Sequence, residues 1–184
     1  MRTVNKNGES NINIERSKFL GYCIKVSSEA EAEKFLSDLK RKNPQARHIV
    51  YVYKIEPNIL KKYNSTEPSG TGAPPILGLI ESKGFTNVLV AVVRYFGGVL
   101  LGTGGLVRAY TEASELAIAD AGEKELTKYY KFEVSLPYNR VSEVENSDMI
   151  VLERNYKENV CYVLASVNKD IPFENAKFIG ELWL

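Results

Sequence analysis

Apolar positions recur along this chain with two different spacings. Around Ile49 to Ile55 they alternate, with Val50 and Val52 on one side and Tyr51 and Tyr53 on the other, the period of a strand. Phe19 to Val26 reads as a strand too. From about Glu29 to Arg41 the period lengthens: Ala32, Phe35, Leu36 and Leu39 make one helical stripe, with Ser27 or Ser28 placed to cap it. Acids fill the first turns of that helix and Lys40, Arg41 and Lys42 its last. This order complements the helix dipole and accounts for the basic cluster without a ligand. Val88 to Val93 is apolar at every position, which predicts a central strand. A second helix runs from about Thr103 to Ala121, its stripe formed by Leu106, Tyr110, Ala113, Ala117 and Ala121, with Gly122 as the cap.

Between these elements, Lys61 to Pro75 is dominated by Pro, Gly, Ser and Thr and predicts a long loop. A short helix to Ser82 follows it. Beyond Gly122 the periods predict strand Lys131–Leu136, helix Val141–Asp148, strand Met149–Asn155, strand Val160–Val167, a short helical stretch opened by Pro172, and strand Phe178–Leu184. That β-α-β-β-α-β order predicts a small ferredoxin-like sandwich. The fold class expected is α+β, with one domain over residues 1–122 and a second over 123–184.

Composition narrows the chemistry. Of 184 residues 44% are hydrophobic and 26% charged, and the net charge is +1. A strongly basic nucleic-acid binder is thereby disfavoured. The charge is uneven: residues 1–122 carry 16 Lys and Arg against 12 Asp and Glu, whereas 123–184 carry 8 against 11. The change of sign suggests two modules or surfaces with different partners. Met1 to Ser17 is polar and charged, so no signal peptide is expected, and no apolar run approaches the ~20 residues of a membrane span. Two distant cysteines, Cys23 and Cys161, without C-x-x-C spacing predict a reducing cytoplasm. One histidine, His48, rules out paired-histidine metal sites. A Cys23–His48 pair is formally available, although a cysteine in an apolar strand is ordinarily inert. No metal, cofactor or catalytic residue is expected.

The candidate chemistry lies at Arg94 to Tyr110, R-Y-F-G-G-V-L-L-G-T-G-G-L-V-R-A-Y. Gly97, Gly98, Gly102, Gly104 and Gly105 stand between an apolar strand and a helix. Glycines permit close approach, and a helix start offers unpaired N–H groups and partial positive charge, an arrangement suited to phosphate. Arg94 and Arg108 bracket the loop; Thr103 lies at the helix start. Neither the P-loop nor the dinucleotide spacing is present, and no lysine falls between Lys83 and Lys124. Tight turns and close helix packing are the alternative use of these glycines. Likewise Tyr51 and Tyr53 serve either to stack bases or to cover a core.

Together the motifs resemble the IMPACT/YigZ family: S-K-F at Ser17–Phe19, R-H-I-V-Y-V-Y around His48, E-P-S-G-T at Glu67–Thr71, P-I-L at Pro75–Leu77, R-Y-F-G-G at Arg94–Gly98 and L-G-T-G-G-L-V-R-A-Y at Leu101–Tyr110. The resemblance implies a two-layer, ribosomal-protein-like α/β domain followed by a ferredoxin-like one. It also implies a link to translation control. Where the family usually reads D-D-G ahead of E-P-S-G, this chain has Asn64, Ser65 and Thr66. Glu67 is then the loop's only acid, and one carboxylate is a poor site for a hard cation.

Three readings follow. The first is a non-enzymatic module holding RNA, a ribosome or a translation-related protein on the glycine loop. In it Arg94, Gly97, Gly98, Gly102, Thr103, Gly104, Gly105 and Arg108 take the phosphate, with Glu67, Ser69, Thr71 and His48 in support. Glu67 either orients an arginine or forms a structural ion pair with Arg94. The second is an enzyme or binder acting on a small phosphorylated ligand. The third is a protein–protein adaptor.

Overall fold

The computed structural model describes residues 1–184 as two compact units, Met1–Glu125 and Leu126–Leu184. The first unit contains, in order, β1 (Arg2–Val4), β2 (Gly8–Ile14), β3 (Ser17–Lys25), α1 (Glu29–Lys42), β4 (His48–Ile55), β5 (Ile59–Tyr63), α2 (Ala73–Ser82), β6 (Val88–Tyr95), α3 (Gly102–Ala121) and β7 (Glu123–Glu125). The second contains β8 (Lys128–Leu136), a 3-10 turn at Tyr138–Arg140, α4 (Val141–Glu145), β9 (Ile150–Tyr156), β10 (Val160–Ser166) and β11 (Lys177–Trp183). This is a mixed α/β protein. No helix is long and apolar enough to cross a membrane.

The main sheet has the order β2-β3-β6-β4-β5 and is antiparallel throughout. Its centre is β6, where alternate residues feed two cores. Val88, Val90 and Val92 pack with Ile76 and Ile80 of α2 and Leu106, Ala109 and Tyr110 of α3. Leu89, Ala91 and Val93 pack with Ala32, Leu36 and Leu39 of α1. The expected two-layer arrangement is therefore corrected to three layers. A strand apolar on both faces leaves one of them in water unless helices cover both, at about 25 cal/mol per Å². The Ser28 hydroxyl accepts from the Glu31 N–H and starts α1 as its spacing predicts.

Helix α3 lies very close to the sheet. A Cβ at Gly8 or Gly21 would collide with the backbone of Ala117, Ala121 or Ala113. Small residues meet on both sides, so the helix axis approaches without a side chain between.

Two further expectations are corrected. Glu123–Glu125 does not open the second unit; it forms β7, paired with β1, because Gly122 turns the chain back along the amino-terminal strand. In the second unit the strand order is β11-β8-β10-β9, but no helix joins β10 to β11. Pro172 sits inside a connection of ten residues that holds only turns, one of them closed by the Ala176 N–H donating to the Phe173 carbonyl, with Phe173 drawn into the unit's core. The unit's core rests on Phe132, Val134, Leu136, Val144, Val160, Tyr162, Leu164 and Phe173.

Candidate functional site

At one end of the main sheet, β6 delivers Arg94 and β4 delivers His48 directly opposite it in register. The loop after β5 folds over both. Asn64 organises that loop. Its side-chain N–H groups donate to the Glu67 and Pro68 carbonyls at 3.0 and 3.2 Å, and its Oδ1 accepts from the Gly72 and Ala73 N–H groups at 3.1 and 2.8 Å. Asn64 thus caps α2, whose own N-cap, Gly72, has no side chain to do so. A carboxylate at 64 accepts but cannot donate, so the amide suits this loop. Thr71 donates to the Pro68 carbonyl at 2.8 Å and is buried; Ser69 is exposed.

The loop places Glu67 inside the protein. Its Oε1 accepts from Arg94 Nη1 and from the Tyr110 hydroxyl, both at 2.7 Å, with His48 Nε2 at 3.6 Å. His48 Nδ1 is 3.1 Å from Thr66 Oγ1. The guanidinium lies between two rings, Phe19 at 5.5 Å and Phe96 at 5.7 Å, and Phe19 meets Tyr110 edge-on. Burial dominates the electrostatics. It lowers the His48 pKa despite the opposing pull of Glu67, with Arg94 and Arg47 lowering it further. It also raises the Tyr110 pKa, and Glu67 adds to that rise. The neutral forms of both are favoured, and Glu67 is met by one cation and one hydroxyl.

Arg94 was expected to flank the glycine loop as a phosphate ligand. Instead it is only 5% exposed and turned inward onto Glu67. A charge at the end of an apolar strand is costly to bury alone, and the carboxylate carried in by the 64–72 loop compensates it. The Arg94 Nε has no partner.

The glycine loop itself is on the surface. Gly97 packs against the backbone of Arg16, where a Cβ would collide, and its N–H donates to Ser17 Oγ at 3.2 Å. Gly98 and Gly102 have φ of 84° and 68°, so the loop's two sharpest points require glycine. Gly102, Thr103 and Gly104 are exposed at the start of α3, which has no side-chain cap and no acid in its first turn. Gly105 is half-buried beside Leu101. Arg108 is exposed and lines an open hollow of about 630 Å³ with Leu100, Leu101, Gly105 and two carboxylates, Glu15 and Glu112. Leu100 is 85% and Phe96 45% exposed.

The expected site residues therefore separate into two groups. Glu67, Arg94 and His48 form an interior cluster, closed by Tyr110. Gly98, Gly102, Thr103, Gly104 and Arg108 form an exposed edge. Tyr110, Asn64 and Ser17 were missed as polar participants. A tyrosine on an apolar helical stripe was the available signal, because a buried hydroxyl requires a partner. Cys23 is fully buried with its thiol pushed up to about 12 by desolvation, which removes it from nucleophilic chemistry at neutral pH.

A sheet capped by helices on both faces, a loop sealed over a Glu–Arg–Tyr cluster and an exposed glycine edge together define a class of protein that recurs. Residues 15–118 match the family model described as the Impact N-terminal domain, and the chain belongs to the IMPACT family. It is similar to the IMPACT family member YvyE of Bacillus subtilis, 34% identical over 164 residues, covering 86% of this chain and 76% of that protein. It is also similar to an IMPACT family member of Thermus thermophilus, 40% identical over 131 residues and 71% of each chain. A crystal structure of a hypothetical protein shares the fold, with TM-score 0.70 and 24% identity over 89% of this chain and 84% of that one. The two-domain translational regulator Yih1 aligns at TM-score 0.38 and 23% identity over 66% of this chain and 47% of that one, a likeness too low to bear on fold or function.

Proposed function

We propose that this protein is a non-enzymatic binding module of translation control, in which the glycine edge from Phe96 to Arg108 is the contact surface for RNA or the ribosome. The carrying observation is the division of the expected site. The acid and the tyrosine that chemistry would need are buried and bonded to one another, and the histidine beside them is half-buried and engaged by Thr66. The uncapped first turn of α3 and Arg108 face outward. Oriented N–H groups beside a guanidinium suit a phosphate oxygen. The strand order of the second unit supports a reduced ferredoxin-like sandwich, in keeping with an RNA-contacting role in the cytoplasm. Neighbouring Glu15 and Glu112 limit the number of phosphates held, so binding is weak and salt-sensitive.

The test is binding to ribosomal subunits over a salt series for wild type, Arg108→Ala and Thr103→Glu. Both variants weaken binding, and Arg108→Ala lowers the salt slope by about one phosphate. Unchanged affinity and slope in both variants overturn the reading. One observation favours a protein partner on the same edge: Leu100 and Phe96 offer apolar area that a phosphate does not use. Salt-independent capture that Leu100→Asp abolishes and Arg108→Ala leaves intact assigns the edge to a protein.

A further inference from the structure

The face of the sheet opposite α3 carries a groove that the glycine edge does not use. Helix α1 covers the sheet through Ala32, Leu36 and Leu39, but β5 lies at the sheet edge. Tyr51 and Tyr63, directly paired across β4 and β5, are consequently left partly open, with Tyr63 49% exposed. Their rings lie 5.3 Å apart, tilted by 32°, and Tyr51 lies parallel to the buried Tyr53 next along the same face at 6.3 Å. With Leu36, Ser37, Lys40, Arg47 and Ile49 they line an open groove of about 810 Å³, within the range of small-ligand sites.

The charges in this groove have one sign left over. Glu33 is its only carboxylate, and it is engaged by Lys61 at 2.7 Å and by the Tyr53 hydroxyl at 3.1 Å. Lys40 and Arg47 line the same groove, are exposed, and take part in no ion pair. Dipole stabilisation accounts for Lys40 at the end of α1, but Arg47 lies beyond the helix and has no such role. An open aromatic face beside two unpaired cations is the combination that binds single strands: bases stack on the ring and phosphates meet the cations. An anionic protein segment would engage the cations but has no need of a stacked ring.

We propose that the groove between α1 and the β4–β5 edge binds a short single-stranded nucleic-acid segment, with a base on Tyr63 and the adjoining phosphates on Lys40 and Arg47. The site is independent of the glycine edge and stands or falls separately from it.

The experiment is fluorescence anisotropy of labelled ten-nucleotide oligouridylate and oligoadenylate, as RNA and as DNA, over a salt series. Wild type binds saturably at low salt. Tyr63→Ala weakens binding roughly 5- to 150-fold, while Tyr63→Phe, which keeps the ring, stays within about twofold. The Lys40→Ala and Arg47→Ala pair lowers the log–log salt slope by about 1.4, the contribution of two single-strand phosphates. In the Arg108→Ala and Thr103→Glu background, which removes the glycine edge, saturable oligonucleotide binding and its loss on Tyr63→Ala both persist. Tyr63 is exposed on an edge strand, so the variant folds, and an unchanged near-ultraviolet spectrum outside the lost tyrosine signal verifies it. The groove assignment is overturned by absence of binding in wild type, or by wild-type affinity in Tyr63→Ala. Loss confined to the Arg108 and Thr103 variants transfers the activity to the glycine edge.

Discussion

At the scale of single residues, the Glu67 carboxylate decides most. One oxygen accepts from both Arg94 and Tyr110, so the two donors are not equivalent when removed. Tyr110→Phe deletes one neutral donor and keeps the ion pair. Its expected cost is about 1.5–3 kcal/mol in urea unfolding, the range for a bond to a charged acceptor. Glu67→Ala leaves the buried guanidinium without its counter-charge and costs about 3–5 kcal/mol. Equal losses in the two variants would contradict this ordering. His48 gives a pH signature. Burial depresses its folded pKa below the unfolded value near 6.5, so between those two values the unfolded chain binds more protons. Its contribution to stability is full above about pH 6.5 and is lost as pH falls through the depressed folded value. Subtracting the stability–pH curve of His48→Gln from that of wild type isolates this slope; a flat difference between pH 5 and 7 contradicts it.

At the scale of elements, α3 couples packing to exposure. Its middle is pressed against β2 and β3 through Gly8, Gly21, Ala113 and Ala117, and its first turn is exposed. Gly21→Ala therefore forces the helix away and costs about 1–3 kcal/mol. Gly104 is different: it has an ordinary helical backbone and open space around it. Gly104→Ala raises stability by about 0.5–1 kcal/mol through helix propensity. Thr103→Glu adds about 0.3–1 kcal/mol at the positive end of the dipole. Loss of stability in both Gly104→Ala and Thr103→Glu, measured by thermal unfolding, would show that the first turn is packed and not presented. The glycine motif was legible as a loop entering a helix. Its division into glycines required by geometry and a glycine merely exposed was not, because that depends on the backbone of Arg16, far away in sequence.

At the scale of the whole molecule, each unit has its own core. Residues 1–125 contain a complete five-stranded sheet with helices on both faces, together with the β1–β7 pair. Expressed alone, that segment is expected to unfold cooperatively; a broad, non-cooperative melt would refute its independence. Local periodicity and capping chemistry were written in the chain itself. They marked α1 with its Ser28 cap, the doubly apolar β6, the helix after the glycines and the strands of the second unit. These properties depend on residues a few positions apart. Tertiary contact alone settled that helices cover both faces of the sheet, that Pro172 opens no helix, that Arg94 points inward and that Asn64 caps a helix nine residues away. The inward turn of Arg94 and the Asn64 cap follow from the cost of burying a charge or a polar group without a partner, and the helices on both faces from the apolar area they remove from water. Which group supplies the partner is fixed by how distant segments meet in space.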